Sequence, residues 1–151
     1  MDNRIPPPLV AALFGLLMWF AARHLPGALE LTIGWRISLA LVVLLAGVAI
    51  CLAGVLSFRH ARTTVNPLKP ETASALVSSG VYKLTRNPMY LGFATVLIAW
   101  SIFLAWPPAL LGVLGFVIYM NLFQIGPEER ALASLFGRDF TQYCSRVRRW
   151  L

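Results

Sequence analysis

Residues 80–92, GVYKLTRNPMYLG, bring two cations, two tyrosines and two glycines to the threshold of an apolar run. Gly80 can close a preceding helix in the left-handed conformation, and Pro88 can open the next one at its first turn, where a missing N–H is harmless. Lys83 and Arg86 then sit on a short connection at a membrane surface. A guanidinium there can hold a carboxylate through two parallel hydrogen bonds. An isolated pair of cations could equally snorkel and only anchor the helix. A second constellation follows 40 positions later: Glu128 and Glu129 come directly after Gly126-Pro127. The proline suggests that both carboxylates open a new helix near its positive dipole end, where acidic residues are common without any catalytic duty. The elements between the two groups decide whether they meet.

The chain has 151 residues, 58% of them hydrophobic and 13% charged, with a mean hydropathy of +0.72. That is far too apolar for a soluble domain of this size and implies an integral membrane protein. The net charge of +7 does not indicate nucleic acid, because the cations cluster beside apolar spans and form no basic, aromatic-interleaved face. Cys51 lies in an apolar run and Cys144 in a polar tail, so no disulfide framework is expected. Neither cysteine has the His or Asp company that a metal site would need, and no metal is expected.

The sequence predicts a single all-α domain over 1–151, with about four membrane helices and an amphipathic C-terminal helix. The first span is 5–22, entered through Pro6, Pro7 and Pro8. Arg4 and the small pair Ala21-Ala22 also fit a signal peptide, but no clear small-x-small cleavage site follows the apolar core, so a retained span is expected. His24, at its edge, reads as an interfacial side chain. The second span, 37–58, is uncharged throughout and flanked by Arg36, Arg59, His60 and Arg62. Gly47 and Gly54 in it permit close helix packing. Residues 59–88 form the longest polar segment, with a short surface helix predicted over Glu71–Ser79 and ended by Gly80. The spans at 89–106 and 108–125 are joined through Trp106-Pro107-Pro108, tight enough for an antiparallel hairpin, with Trp100 and Trp106 suited to an interfacial belt. The tail helix is 127–149. In it Leu132, Leu135, Phe136, Phe140, Tyr143 and Val147 recur at steps of three and four, with an interruption expected at Gly137.

Positive charge sets the orientation. Segment 59–88 carries five Lys or Arg, the segment after Ile125 five more and Arg4 one, against two in 23–36 and none in the 106–108 turn. Both termini and the 59–88 loop are therefore expected in the cytoplasm. The 108–125 hairpin arm then returns Glu128 to the side of the membrane that holds Tyr90.

Two ordered motifs, Gly80-x-Tyr82-x-x-x-Arg86-Asn87-Pro88-x-Tyr90-x-Gly92 and Glu128-Glu129-x-x-Leu132 followed by Phe136-Gly137-x-x-Phe140-x-x-Tyr143, resemble the isoprenylcysteine carboxyl methyltransferase family and the related phospholipid methyltransferases. The resemblance covers roughly residues 59–149. It implies an integral membrane enzyme that binds S-adenosylmethionine between the Arg-x-Pro loop and the Glu-Glu helix at the cytoplasmic surface, with a lipophilic acceptor arriving from the bilayer. Carried over by position, it puts Tyr82, Asn87, Pro88, Tyr90, Gly92, Glu128 and Glu129 around the cofactor and makes Arg86 and Glu129 the catalytic pair. A bacterial inner (plasma) membrane setting is expected, with membrane lipids and the lipophilic substrate as partners and no nucleic acid. Asn87 stands where many members have histidine, which excludes a titrating base there. Phe140 replaces a frequent tyrosine, and Arg148 falls where proline is common.

Methyl transfer from a sulfonium needs in-line approach and exclusion of water more than proton machinery, so alignment can supply up to about 7–11 kcal/mol of the acceleration. An ionised carboxylate acceptor needs no base. Two other readings share part of this pattern. A steroid-reductase-like enzyme with a related core would use reduced nicotinamide, whose extra phosphates call for more cations than Lys83 and Arg86. A non-enzymatic membrane component would leave the Glu128-Glu129 pair without a ligand.

Overall fold

The computed structural model describes residues 5–60 and 76–151, and every regular element among them is helical. Helix α1 is Pro7–His24, α2 Ile33–His60, α3 Pro88–Leu104, α4 Leu110–Tyr119 and α5 Gly126–Arg146. Single 3-10 turns occupy Gly80–Lys83 and Pro107–Ala109, and a π-helical turn, Met120–Ile125, joins α4 to α5. α1, α2 and the continuous helical path Pro107–Arg146 are long and apolar enough to cross a membrane, and α3 is a shorter apolar helix of 17 residues. This is an all-α, multi-pass integral membrane architecture.

Proline opens two of the helices as its fixed φ predicts: Pro7 begins α1 and Pro88 begins α3. α2 starts a turn earlier than its uncharged core and takes in Arg36, whose guanidinium donates through Nε to the Phe103 carbonyl at 2.8 Å and lies over the Phe103 ring. A cation thus satisfies a carbonyl in the last turn of α3, where the dipole is negative. α2 and α3 are brought together by their small residues. A side chain at Gly47 would meet the Gly92 carbonyl and Val96 at 3.0 Å, and one at Gly54 would meet Met89 at 3.0 Å.

The α3–α4 hairpin forms where expected. Ala105 turns the chain in the left-handed region at φ 50°, ψ 38°. The two tryptophans expected in an interfacial belt both hydrogen-bond within the protein. Trp106 is buried and its indole donates to the Pro26 carbonyl at 3.0 Å, while Trp100 donates to the Gly15 carbonyl at 3.0 Å. Both indole N–H groups tie the first helix and its loop to the hairpin.

Two local expectations are corrected. Of the surface helix predicted over Glu71–Ser79, residues 71–75 lie outside the described residues, and 76–79 are not helical. Gly80 does adopt the left-handed conformation, at φ +61°, but it opens the 3-10 turn instead of closing a helix. The second correction concerns Gly126-Pro127. Glu128 and Glu129 lie in the first turn of α5 as expected, but Ile125 and Gly126 are both right-handed helical, so the π turn carries the helix into α5 without a break. Pro127 removes one helical donor and crowds the preceding turn; the π turn just before it widens the helix, with the Gly126 N–H reaching back to the Asn121 carbonyl. The interruption expected at Gly137 is present, at φ 48°, ψ −115°.

Candidate active site

The two motif groups meet where the 80–92 loop faces the start of α5. Tyr90 stands in the first turn of α3, and its hydroxyl donates to Glu128 Oε1 at 2.6 Å. Arg86 Nη2 pairs with Glu129 Oε1 at 3.2 Å. The Arg86 side chain is 16% exposed and Glu129 21%, so this pair is partly shielded from solvent. Arg86 Nε is buried and has no acceptor. Such a donor is costly unless something accepts from it.

A third element completes the site. After α5 ends at Arg146 the backbone becomes extended at Val147 and runs back over the motif loop. The Arg86 N–H donates to the Arg148 carbonyl at 3.0 Å, while Asn87 Nδ2 at 2.9 Å and Thr85 Oγ1 at 3.3 Å both donate to the Arg149 carbonyl. This strap delivers the Arg149 guanidinium to Glu129, with Nε on Oε1 at 3.2 Å and Nη2 on Oε2 at 2.5 Å. Asn121, in the π turn, accepts from Arg149 Nη1 at 3.4 Å and from the Trp150 indole at 3.1 Å. Glu129 therefore lies between two guanidiniums. The bond to Glu129 pushes the Arg149 pKa up from its already high ordinary value.

Tyr82 and Tyr143 close the side of the cluster. Tyr143 donates to the Tyr82 carbonyl at 2.8 Å, and the Tyr82 ring meets Phe58 edge-on. Burial pushes both phenols up, with Glu128 adding to the effect on Tyr82 and Arg86 opposing it on Tyr143. Both stay neutral at physiological pH, so neither is a base. Of the predicted tail stripe, Phe140 and Tyr143 are buried while Leu135 is exposed.

The structure thus brings together Arg86, Asn87, Tyr90, Glu128 and Glu129, with Tyr82 beside them. Pro88 is buried against α2 at Gly54, and Gly92 lies against Cys51 and Gly47 of α2. Their surroundings are helix packing. Thr85, Asn121, Arg149 and Trp150 were not singled out from sequence. Asn121 carried a signal, being a polar residue within an apolar span, and the Arg148-Arg149-Trp150 cluster directly follows the tail stripe.

One helical turn beyond Tyr90, a groove of about 870 Å³ runs along α3 between α1 and α2. Ala12, Leu16, Leu44, Phe93, Val96 and Trp100 are among the residues that line it, and the lining is apolar almost throughout. No group of His, Cys, Asp and Glu suited to a metal ion occurs among the described residues.

The phospholipid methyltransferase family model matches residues 35–139. A probable protein-S-isoprenylcysteine O-methyltransferase of Oryza sativa is 31% identical over 147 residues, covering 92% of this chain and 75% of the relative. Protein-S-isoprenylcysteine O-methyltransferase B of Arabidopsis thaliana is 25% identical over 116 residues, covering 75% of this chain and 57% of the relative. An uncharacterized protein of Haemophilus influenzae is 44% identical over 63 residues, covering 42% of this chain and all of the relative. No solved structure matches the chain. The helical membrane architecture, the meeting of the two motifs and these likenesses agree, and the chain belongs to the phospholipid methyltransferase family of membrane methyltransferases.

Proposed function

We propose that the protein transfers a methyl group from S-adenosylmethionine to a lipophilic acceptor, an isoprenylcysteine-like carboxylate or a lipid, at the cytoplasmic face of a bacterial inner membrane with both termini cytoplasmic. The observation that carries this reading is the cluster Arg86, Glu129 and Arg149 beside the Tyr90–Glu128 bond, at the junction of the motif loop and α5. The donor set fits the cofactor. Two carboxylates can accept from an ammonium or from ribose hydroxyls, and the guanidiniums can hold a carboxylate. When bound, S-adenosylmethionine supplies an electrophilic methyl carbon on a sulfonium sulfur.

The residues of this chain then have to align and dry the site. Arg86 presents a fork that matches a planar acceptor carboxylate, and its Nε has spare donor capacity. Tyr90 fixes the Glu128 carboxylate, and Asn87 holds the strap that closes over the loop. The groove along α3 is apolar and large enough for an isoprenyl or acyl chain, which supports a lipophilic acceptor.

The test is a titration of the detergent-purified protein with S-adenosylhomocysteine and, separately, NADPH, followed by methyl transfer to a prenylcysteine and to a phospholipid. Saturable S-adenosylhomocysteine binding with transfer to one acceptor is expected. Binding of NADPH alone would move the protein to the reductase reading, and binding of neither would remove the enzymatic one.

A further inference from the structure

Glu129 is held by two guanidiniums at once. Its Oε1 accepts from Arg86 Nη2 and Arg149 Nε, both at 3.2 Å, and its Oε2 from Arg149 Nη2 at 2.5 Å. Glu128 is bonded by Tyr90. One carboxylate is thus shared by two guanidiniums, and the buried Arg86 Nε has no acceptor.

The two arginines are not equally fixed. The Arg149 side chain is 39% exposed against 16% for Arg86, and its remaining side-chain bond, to Asn121, is long at 3.4 Å. An ion pair at that exposure contributes little stability. The Arg149 main chain is anchored independently, since Asn87 and Thr85 hold its carbonyl and the Arg86 N–H holds that of Arg148. Its guanidinium can therefore change partner while the strap stays in place.

We infer that the Glu129–Arg149 ion pair opens to receive the zwitterionic amino-acid end of the cofactor, Arg149 moving to its carboxylate and Glu129 accepting from its ammonium. This rests on the S-adenosylmethionine reading above. A zwitterion inserted into an ion pair leaves the local charge unchanged and turns one pair into two, so no charge is left buried and unpaired. Arg86 remains on Glu129 throughout and keeps the carboxylate oriented. Arg149 is then a cofactor-binding residue contributed by the C-terminal strap.

The test compares S-adenosylhomocysteine with 5′-methylthioadenosine, which has the same adenosine and thioether but no amino-acid group. Dissociation constants are measured on wild-type, Arg149→Gln and Arg149→Lys proteins in detergent. Arg149→Gln is expected to weaken S-adenosylhomocysteine roughly 10- to 100-fold, the range of a charge-assisted bond, while 5′-methylthioadenosine changes less than about twofold. Arg149→Lys, which keeps the charge without the fork, is expected to fall between. Retained 5′-methylthioadenosine binding also certifies that a variant is folded. Equal losses for both ligands would reduce Arg149 to a structural tie of the strap and overturn the inference, as would unchanged or tighter S-adenosylhomocysteine binding in Arg149→Gln. If the wild type binds neither ligand, the S-adenosylmethionine reading itself falls and takes the exchange with it.

Discussion

Asn87 donates its side-chain amide to the main-chain carbonyl of Arg149 at 2.9 Å, joining the motif loop to the C-terminal strap across 62 positions. The same carbonyl accepts from Thr85 Oγ1, whose oxygen in turn accepts from the Asn87 N–H at 3.2 Å. Asn87 is therefore a structural donor in the site whatever ligand it also meets. Replacing it with alanine removes one of the three bonds from the motif loop to the strap carbonyls and leaves those of Thr85 and Arg86. We expect Asn87→Ala to lower stability by about 1 kcal/mol and to accelerate carboxypeptidase release of the last residues. Wild-type trimming would show that the strap does not depend on this bond.

Gly92 gives a sharper structural test. A Cβ there would lie 2.7 Å from the Gly47 carbonyl oxygen and 3.0 Å from the Cys51 backbone nitrogen, with the Cys51 sulfur closer still. Backbone cannot retreat as a side-chain tip can, so α2 and α3 must separate. Gly92→Ala is expected to destabilise by about 1–3 kcal/mol or more. Gly34, also helical, has nothing within 4 Å of a built Cβ, and Gly34→Ala should be neutral or stabilising by up to about 1 kcal/mol. Thermal melts of the two variants in one detergent check the contrast, and equal melting points would overturn the packing role.

The sequence reading reached the helices and the two motifs because both are local signals. Apolar length marks a span, and Pro88 and Gly80 mark the loop between two helices. At Pro127 the start of α5 is legible but the continuity with α4 is not, since the breaker rule describes ideal α geometry and a π turn absorbs the missing donor. It missed Arg149 because the strap is extended, carries no periodicity, and acquires its meaning only when Thr85, Arg86 and Asn87 meet its carbonyls more than 60 positions away. The pairing of Arg86 with Glu129 was likewise beyond reach: each side chain had been assigned to a ligand, and neither to the other.

The buried phenols predict an alkaline limit to stability. Tyr82 and Tyr143 are both pushed above the ordinary phenol value, chiefly by burial. With the folded pKa raised, the native state holds protons that the unfolded chain releases above about pH 10. Their contribution is fully present below that pH and is lost as pH rises through the folded values, at up to about 1.4 kcal/mol per pH unit for each group. Tyr82 and Tyr143 should therefore ionise late and together with unfolding. Absorbance at the phenolate band against pH checks this. Ionisation of Tyr82 and Tyr143 in the ordinary phenol range would show that the loop and tail are open to water.

Arg86 decides whether the guanidinium at the centre of the site serves the acceptor or only the carboxylate beside it. Its backbone N–H holds Arg148 and is retained in any substitution, whereas its side chain makes the 3.2 Å pair with Glu129 and leaves Nε without an acceptor. Lysine at this position keeps the charge and can still reach a carboxylate, but it offers a point charge in place of a planar fork. If the spare face of Arg86 clamps an anionic acceptor, Arg86→Lys should lower methyl transfer at least tenfold while S-adenosylhomocysteine affinity changes much less, because the cofactor's polar contacts are assigned to the glutamates and Arg149. If Arg86 instead acts only by orienting Glu129, affinity and turnover should fall in parallel. Measuring both on one Arg86→Lys preparation separates these outcomes: parallel losses reject the acceptor clamp, and a wild-type-like enzyme rejects both roles.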